Sequence, residues 1–169
     1  MDFPQIEEED GLFGASPLDV VEHVLSAENL SFDRTDEDDL AFALTGDWKE
    51  YELWFSWRSQ AGCLQVCLGL DLTVDAKRPA GVQELLSLVN QRVWLGHFEI
   101  CADDGELVFR YALPLPEGER PTLAQAAAMI DAALEAADRF YPAFSFLVKD
   151  GKTPKEAMTA CLFETVGQA

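Results

Sequence analysis

Apolar residues recur at helical spacing shortly after the start of the chain. Ser16, Pro17 and Asp19 form a helix start, with a capping hydroxyl, a proline at the first helical position and an acid three residues after the cap. The apolar residues then follow at intervals of three and four, at Leu18, Val21, Val24 and Leu25. This pattern predicts a first helix that ends near Asn29.

After residue 39 the apolar period changes from about 3.6 to 2, which indicates strands. Three alternating runs follow one another: Leu40, Phe42, Leu44; Tyr51, Leu53, Phe55, Trp57; and Leu64, Val66, Leu68, Leu70, Leu72. Short turns between such runs predict a three-strand antiparallel meander. If Gly46 and Asp47 are the two residues of the first turn, Phe42 lies opposite Tyr51. The acidic stretch 33–39 before the meander is interpreted as a solvated loop.

The second half of the chain repeats the alternation of helix and strand patterns. A second helix is predicted from Val82, Leu85, Leu86, Val89 and Val93. A hairpin follows, with Asp104-Gly105 as a type I′ turn signal that would set Ile100 against Phe109 and Phe98 against Tyr111.

Two more helices complete the pattern. Thr122 begins the third helix and Pro154 the fourth, while Pro142 predicts a kink or break within the third. The order α-β-β-β-α-β-β-α-α, with hairpins inside the strand runs, indicates an α+β fold whose helices cover mainly one face of an antiparallel sheet.

The charge of the chain narrows the classes of partner. Lys and Arg number 12 against 31 Asp and Glu, which gives a net charge of −19, and residues 1–39 carry thirteen acids and a single base, Arg34. Nucleic acids and anionic membrane surfaces would be repelled, whereas a basic protein would be attracted. We expect residues 1–15 to be a flexible acidic arm and 16–169 to be a single domain. Neither a signal peptide nor a membrane span is visible, so the chain is expected to be cytoplasmic.

The residues offer no recognisable catalytic centre, metal site or cofactor site. His97 and Glu99 point the same way on a predicted strand, but no motif places a nucleophile beside them. The stretch 33–39 breaks the calcium-loop register. The cysteines lack the spacing of a zinc site. We therefore predict no catalytic or metal-ligating residues and no cofactor.

Two tryptophans and three cysteines fall on the sheet face that should point away from the core. These are Trp48, Trp54, Cys63, Cys67 and Cys101. A face of this kind is expected to be covered, either by a protein partner, by a second copy of the chain, or by the fourth helix or the N-terminal arm. Trp48, Trp54, Cys67 and Cys101 are the predicted contact residues, and the same face predicts a homodimer.

The C-terminal part of the chain resembles a known family. The segments 139–146 (RFYPAFSF), 151–152 with 156–157, and 164–167 (ETVG), together with 94–98 (WLGHF) and the hairpin before Arg110, are similar to the YbjN-like family of bacterial sensory transduction regulators. The residues that carry the resemblance most directly are Gly96, His97, Phe98, Arg110, Tyr141, Pro142, Phe144, Glu164 and Thr165. The resemblance implies a fold like that of type III secretion chaperones, which hold segments of client proteins.

The leading hypothesis from the sequence is a non-enzymatic protein-binding module, chaperone-like or adaptor-like, for which a basic protein partner is considered. A second hypothesis is a small-molecule sensor with a pocket under the third helix, around Phe140, Tyr141 and Phe144. A third and weaker hypothesis is an enzyme that uses His97 and Glu99.

Overall fold

Four helices and six strands make up residues 16–74 and 79–166, the part of the chain that the structure, a computed structural model, describes. The helices are α1 (Pro17–Ala27), α2 (Pro79–Asn90), α3 (Leu123–Val148) and α4 (Pro154–Val166). The strands are β1 (Phe32–Asp36), β2 (Asp39–Thr45), β3 (Glu50–Arg58), β4 (Cys63–Thr73), β5 (His97–Ile100) and β6 (Glu106–Pro114). The predicted arm at 1–15 lies outside the described residues.

Helix starts follow the predicted capping residues. The Ser16 side chain caps α1, and the Asp19 carboxylate accepts a hydrogen bond from the backbone N–H of Ser16. Thr122 and Gln125 form the same reciprocal pair at the start of α3. Each pair satisfies two backbone N–H groups that have no partner inside the helix, so short sequence patterns locate these boundaries correctly.

The strands form one antiparallel sheet with the order β1-β2-β3-β4-β6-β5. Residues of β2 to β6, among them Leu53, Val66 and Phe109, are buried against the helices, whereas β1 contributes only partly buried residues. Helices α1, α2 and α3 contact the sheet on this inner face, and α4 packs on α2 and α3. Among residues 16–74 and 79–166, no helix lies over the opposite face, which we call the open face. The predicted α+β class with helices on one face is confirmed.

The stretch 33–39 is not the solvated loop that its acidity suggests. Most of it belongs to β1, which pairs with β2 as an edge strand. Arg34 makes this possible because its guanidinium contacts Asp19 at 3.0 Å and Glu22 at 2.6 Å on α1, which ties the edge strand to a helix. The sheet therefore has one strand more than predicted.

Both predicted hairpin registers are wrong by two residues. Leu44, not Phe42, lies opposite Tyr51. In the second hairpin Phe98, not Ile100, lies opposite Phe109. Each loop is longer than the two-residue turn assumed, since Gly46–Lys49 and 102–105 separate the paired strands. A register shift of two residues keeps every side chain on its predicted face of the sheet. The predicted inward and outward directions are therefore correct.

Aromatic rings fill the space between α3 and the second hairpin. Phe98 lies at the centre, with ring centroids 5.4 Å from Phe109, 6.1 Å from Phe140 and 5.1 Å from Phe144. All four rings are buried. Their tilted and edge-on geometries are those that aromatic quadrupoles favour. This cluster holds the middle of α3 against the sheet.

The sequence predicts a kink or a break at Pro142, and α3 continues through this residue without a break. Pro142 has no N–H to donate to the carbonyl of Asp138, four residues earlier. The indole N–H of Trp48, in the β2–β3 loop, donates to that carbonyl instead, at 2.8 Å. Trp48 therefore lies on the helical side of the sheet, so its predicted place on the open face is wrong. The prediction failed because Trp48 belongs to a four-residue loop and not to an alternating strand.

The aromatic cluster predicts the effect of a core substitution. Phe98→Ala leaves a cavity among three other rings, and we expect it to lower the free energy of unfolding by about 3–5 kcal/mol. Urea titration followed by circular dichroism measures this loss. Trp94→Ala is the matched control, because Trp94 is 97% exposed and its removal should change the value by less than about 0.5 kcal/mol. Equal effects of the two substitutions would contradict this description of the core.

Candidate binding site on the open face of the sheet

One row of paired residues crosses the open face from strand to strand. Ala41 of β2 pairs with Trp54 of β3, Trp54 with Cys67 of β4, Cys67 with Arg110 of β6, and Arg110 with His97 of β5. Because partners in adjacent strands point to the same side, these five side chains share one surface. The sequence correctly places Trp54 and Cys67 together here.

A polar network occupies one half of the open face. Glu99 accepts a hydrogen bond from Nε of Arg110 at 2.7 Å, and its other carboxylate oxygen lies 3.2 Å from Nε2 of His97. Arg110 also donates to the side-chain carbonyl of Gln65 at 3.2 Å. Glu99 lies diagonally to Arg110 and not opposite it, because Val108 occupies the opposite position. The network joins three strands.

Cys67 is buried even though it belongs to the open face. Its exposed fraction is only 2%, and Arg110 is its direct partner across the β4–β6 pair. Burial raises the pKa of the Cys67 thiol to about 11, although the nearby Arg110 acts in the opposite direction. Cys63 and Cys101 are half-buried. Of the four residues predicted to contact a partner, Trp54 and Cys101 therefore have accessible side-chain surface on or beside this face, whereas Cys67 does not.

A groove occupies the other half of the open face, beside Trp54. Its volume is about 430 Å³, and Ala41 and Ala43 leave the space that larger side chains would fill. Asp33 and Glu52 also line it. Neither of these two exposed carboxylates forms an ion pair with any base in the described ranges. We call this feature the Trp54 groove: an apolar floor and wall, with two acids at the rim that form no ion pair within the described part of the chain.

The pocket predicted under α3 is filled by the side chains expected to line it. Phe140 and Phe144 pack directly on Phe98, and both are buried. Tyr141 is half-buried and meets Tyr51 edge-on, with ring centroids 6.1 Å apart. These aromatic residues therefore pack in the core at the place where the sensor hypothesis expects a cavity, although Phe140 also lines a small surface cleft beside α3.

The predicted contact between His97 and Glu99 exists, but its surroundings do not favour catalysis. Arg110 binds the same carboxylate. The buried thiol in the row, Cys67, has a raised pKa and is therefore a poor nucleophile at neutral pH. Within the described residues, no group of three or more His, Cys, Asp or Glu side chains is arranged to hold a metal ion.

The residues that carry the family resemblance serve several parts of the fold. Gly96 has a φ of +73°, and a Cβ at this position would lie 2.4 Å from the Phe109 ring, so only glycine fits. His97 and Arg110 belong to the open face, whereas Phe98 and Phe144 belong to the core. Tyr141 and Pro142 lie on α3, and Glu164 and Thr165 on α4.

The most exposed apolar side chains lie elsewhere and were not predicted as a site. Trp94 and Leu95, in the loop between α2 and β5, are 97% and 49% exposed, and Phe163 near the end of α4 is 77% exposed. The sequence placed Trp94 and Leu95 only within a family motif. Their position just after the amphipathic α2 pattern ends was the signal that could have indicated exposure.

Residues 17–146 match the family model of YbjN, described as "Putative bacterial sensory transduction regulator". The chain belongs to the YbjN family. No curated protein is similar enough in sequence to count as a match. None of the helices in the described ranges combines the length and hydropathy that crossing a membrane requires.

Two solved structures are similar to this chain at low sequence identity. One is ExsC, a type III secretion chaperone solved in complex with ExsE, with 16% identity and a TM-score of 0.51, over 72% of this chain and 88% of that one. Another is YbjN from E. coli, with 16% identity and a TM-score of 0.49, over 75% of this chain and 89% of that one. The likeness to ExsC confirms the predicted chaperone-like architecture.

Cysteine reactivity tests the placement of side chains on the open face. With its pKa near 11, the Cys67 thiol is about one part in a thousand thiolate at pH 8. We expect iodoacetamide at pH 8 to label Cys63 and Cys101 well before Cys67, with mass spectrometry of peptides as the readout. Cys67 should react at the rate of the others only after unfolding in urea. Labelling of native Cys67 as fast as Cys63 would contradict its burial.

Proposed function

We propose that this protein is a non-enzymatic binding module that holds a segment of a basic protein partner on the open face of its sheet. The Trp54 groove is the observation that carries the proposal. The proposed activity is chaperone-like or adaptor-like, within the bacterial sensory regulation that the family description names.

The chemistry of the groove selects a particular kind of partner segment. Trp54, Ala41 and Ala43 offer apolar contact to one inserted side chain, while Asp33 and Glu52 lie where flanking lysines or arginines would reach. Aromatic residues in pockets commonly dominate binding energy, and rim charges mainly set specificity and association rate. An apolar residue flanked by bases therefore fits this site best.

Two further observations support a protein partner. The net charge of −19 attracts basic partners from a distance and repels nucleic acids. A protein of similar fold, ExsC, was solved in complex with another protein, ExsE. A similar fold at 16% sequence identity supports protein binding as the class of function. The partner itself has to be found by experiment.

Affinity purification with matched variants tests the proposal. We expect Trp54→Ala to lower the affinity for partners of the wild-type protein roughly thirty-fold. This is the effect of losing about 2 kcal/mol at a binding hot spot. Glu52→Lys should also weaken binding, because it reverses the rim charge. Trp94→Ala is the control and should retain the same partners, since Trp94 does not line the groove.

Quantitative mass spectrometry of the bound proteins gives the readout. A recovered partner should then bind the purified protein less tightly as salt increases, since screening weakens contacts between the carboxylates and its bases. Equal binding of the same partners to wild type and Trp54→Ala would contradict the assignment of this groove. Failure to recover any partner specific to the wild-type protein would also contradict it.

A further inference from the structure

Trp94 lies at the rim of a small cleft, which we call the Trp94 cleft. The cleft has a volume of about 120 Å³ and lies between residues 92–95 and the middle of α3, where Ala132 and Ala136 line it. The indole is 97% exposed, and its neighbour Leu95 is 49% exposed. Apolar surface that is exposed in one place marks interaction sites. A segment that binds here would therefore gain apolar contact with both side chains.

The charges around this cleft differ from those of the molecule as a whole. Arg92 and Arg139 line it together with one acid, Glu135. Neither arginine forms an ion pair with a carboxylate in the described ranges. The guanidinium of Arg139 lies over the ring of Phe140, 5.2 Å from its centroid. An acidic segment fits this cleft, because its carboxylates could bind both guanidinium groups.

The first fifteen residues of this chain have the composition that the cleft requires. They contain no base and five acids, which are Asp2, Glu7, Glu8, Glu9 and Asp10. Ile6 directly precedes the three consecutive glutamates, so an apolar side chain and several carboxylates occur in one short stretch. The Trp54 groove would repel this stretch, because Asp33 and Glu52 line its rim.

Residues 1–15 are also long enough to reach the cleft from the start of α1. Ile6 comes ten residues before Ser16, so an extended chain could place it as far as about 34 Å away. The six-stranded sheet is about 24 Å wide, since neighbouring strands lie about 4.8 Å apart. Attachment to the same chain raises the effective concentration of the segment to the millimolar range, which opposes repulsion by the net charge of −19.

We propose that residues 1–15 bind at the Trp94 cleft of the same molecule, with Ile6 in the cleft and the following glutamates against Arg92 and Arg139. The segment then covers Trp94 and leaves the Trp54 groove accessible. The proposal does not rest on the proposed function, because the cleft and the groove are built from different residues.

Photo-cross-linking of the full chain measures which segment contacts the cleft. Trp94→p-benzoylphenylalanine places a photoreactive group at the rim, and mass spectrometry of the digested protein identifies the residues to which it attaches. We expect attachment to residues 1–15 of the same molecule. A mixture of ¹⁵N-labelled and unlabelled protein distinguishes this from attachment between molecules. The matched control, Trp54→p-benzoylphenylalanine, should not attach to residues 1–15.

Substitutions within the segment test the assigned contacts. The triple change Glu7→Gln, Glu8→Gln and Glu9→Gln should lower the cross-link yield about fivefold, because it removes two exposed ion pairs. Ile6→Ser should also lower the yield, because the cleft loses its apolar occupant.

A second triple variant controls for net charge. Asp103→Asn, Glu117→Gln and Glu119→Gln remove three acids that do not line the cleft, and the cross-link yield should stay at the wild-type level. Attachment only between molecules, or no attachment to residues 1–15, would overturn the proposal. A yield that the two triple variants lower equally would overturn it as well.

Discussion

The contact between the β2–β3 loop and Asp138 holds the helical layer of this protein to its sheet. Pro142 leaves the carbonyl of Asp138 without its helical donor, and the indole of Trp48 replaces that donor. The Asp138 carboxylate accepts a hydrogen bond from the backbone N–H of Asp47 at 2.9 Å. Gly46 leaves room for this approach, since a Cβ there would lie 2.4 Å from the carboxylate. One residue of α3 thus binds two groups of one loop.

This anchor explains why the two faces of the sheet differ so strongly. With α3 held over the inner face and the Phe98 cluster buried beneath it, the helices in the described ranges all lie on one side. The open face is left to polar networks and to the Trp54 groove. The surface proposed for binding therefore lies on the side of the sheet that the described helices leave uncovered.

The charge of the Trp54 groove limits the kind of partner proposed for it. Its rim holds Asp33 and Glu52, which form no ion pair with any base among the described residues. A basic segment is therefore the partner proposed for this groove.

Local patterns predicted the elements of this fold better than their connections. Capping residues such as Ser16 and Thr122 act within one turn of helix, so the sequence locates them directly. Both hairpins kept their predicted faces but not their register, because loop length is set by loop conformation and not by the period-2 pattern. Strand β1 was missed because its support, the ion pairs of Arg34 with Asp19 and Glu22 on α1, joins residues that are far apart in the sequence.

The candidate sites were only partly predictable for the same reason. Alternation along β3 placed Trp54 on the open face, but nothing local shows that Ala41 and Ala43 leave a groove beside it. Trp48 was misplaced because its partner, the carbonyl freed by Pro142, lies ninety residues away. The exposure of Trp94 depends on how the loop after α2 meets α3.

A double-mutant cycle tests the anchor most directly. Trp48→Phe removes the donor to Asp138, and we expect it to cost about 1–2 kcal/mol of unfolding free energy when Pro142 is present. In a Pro142→Ala background the restored backbone N–H can donate to the same carbonyl, so the cost of Trp48→Phe should fall by about 1 kcal/mol. An equal cost in both backgrounds would contradict the claim that Trp48 replaces the missing donor.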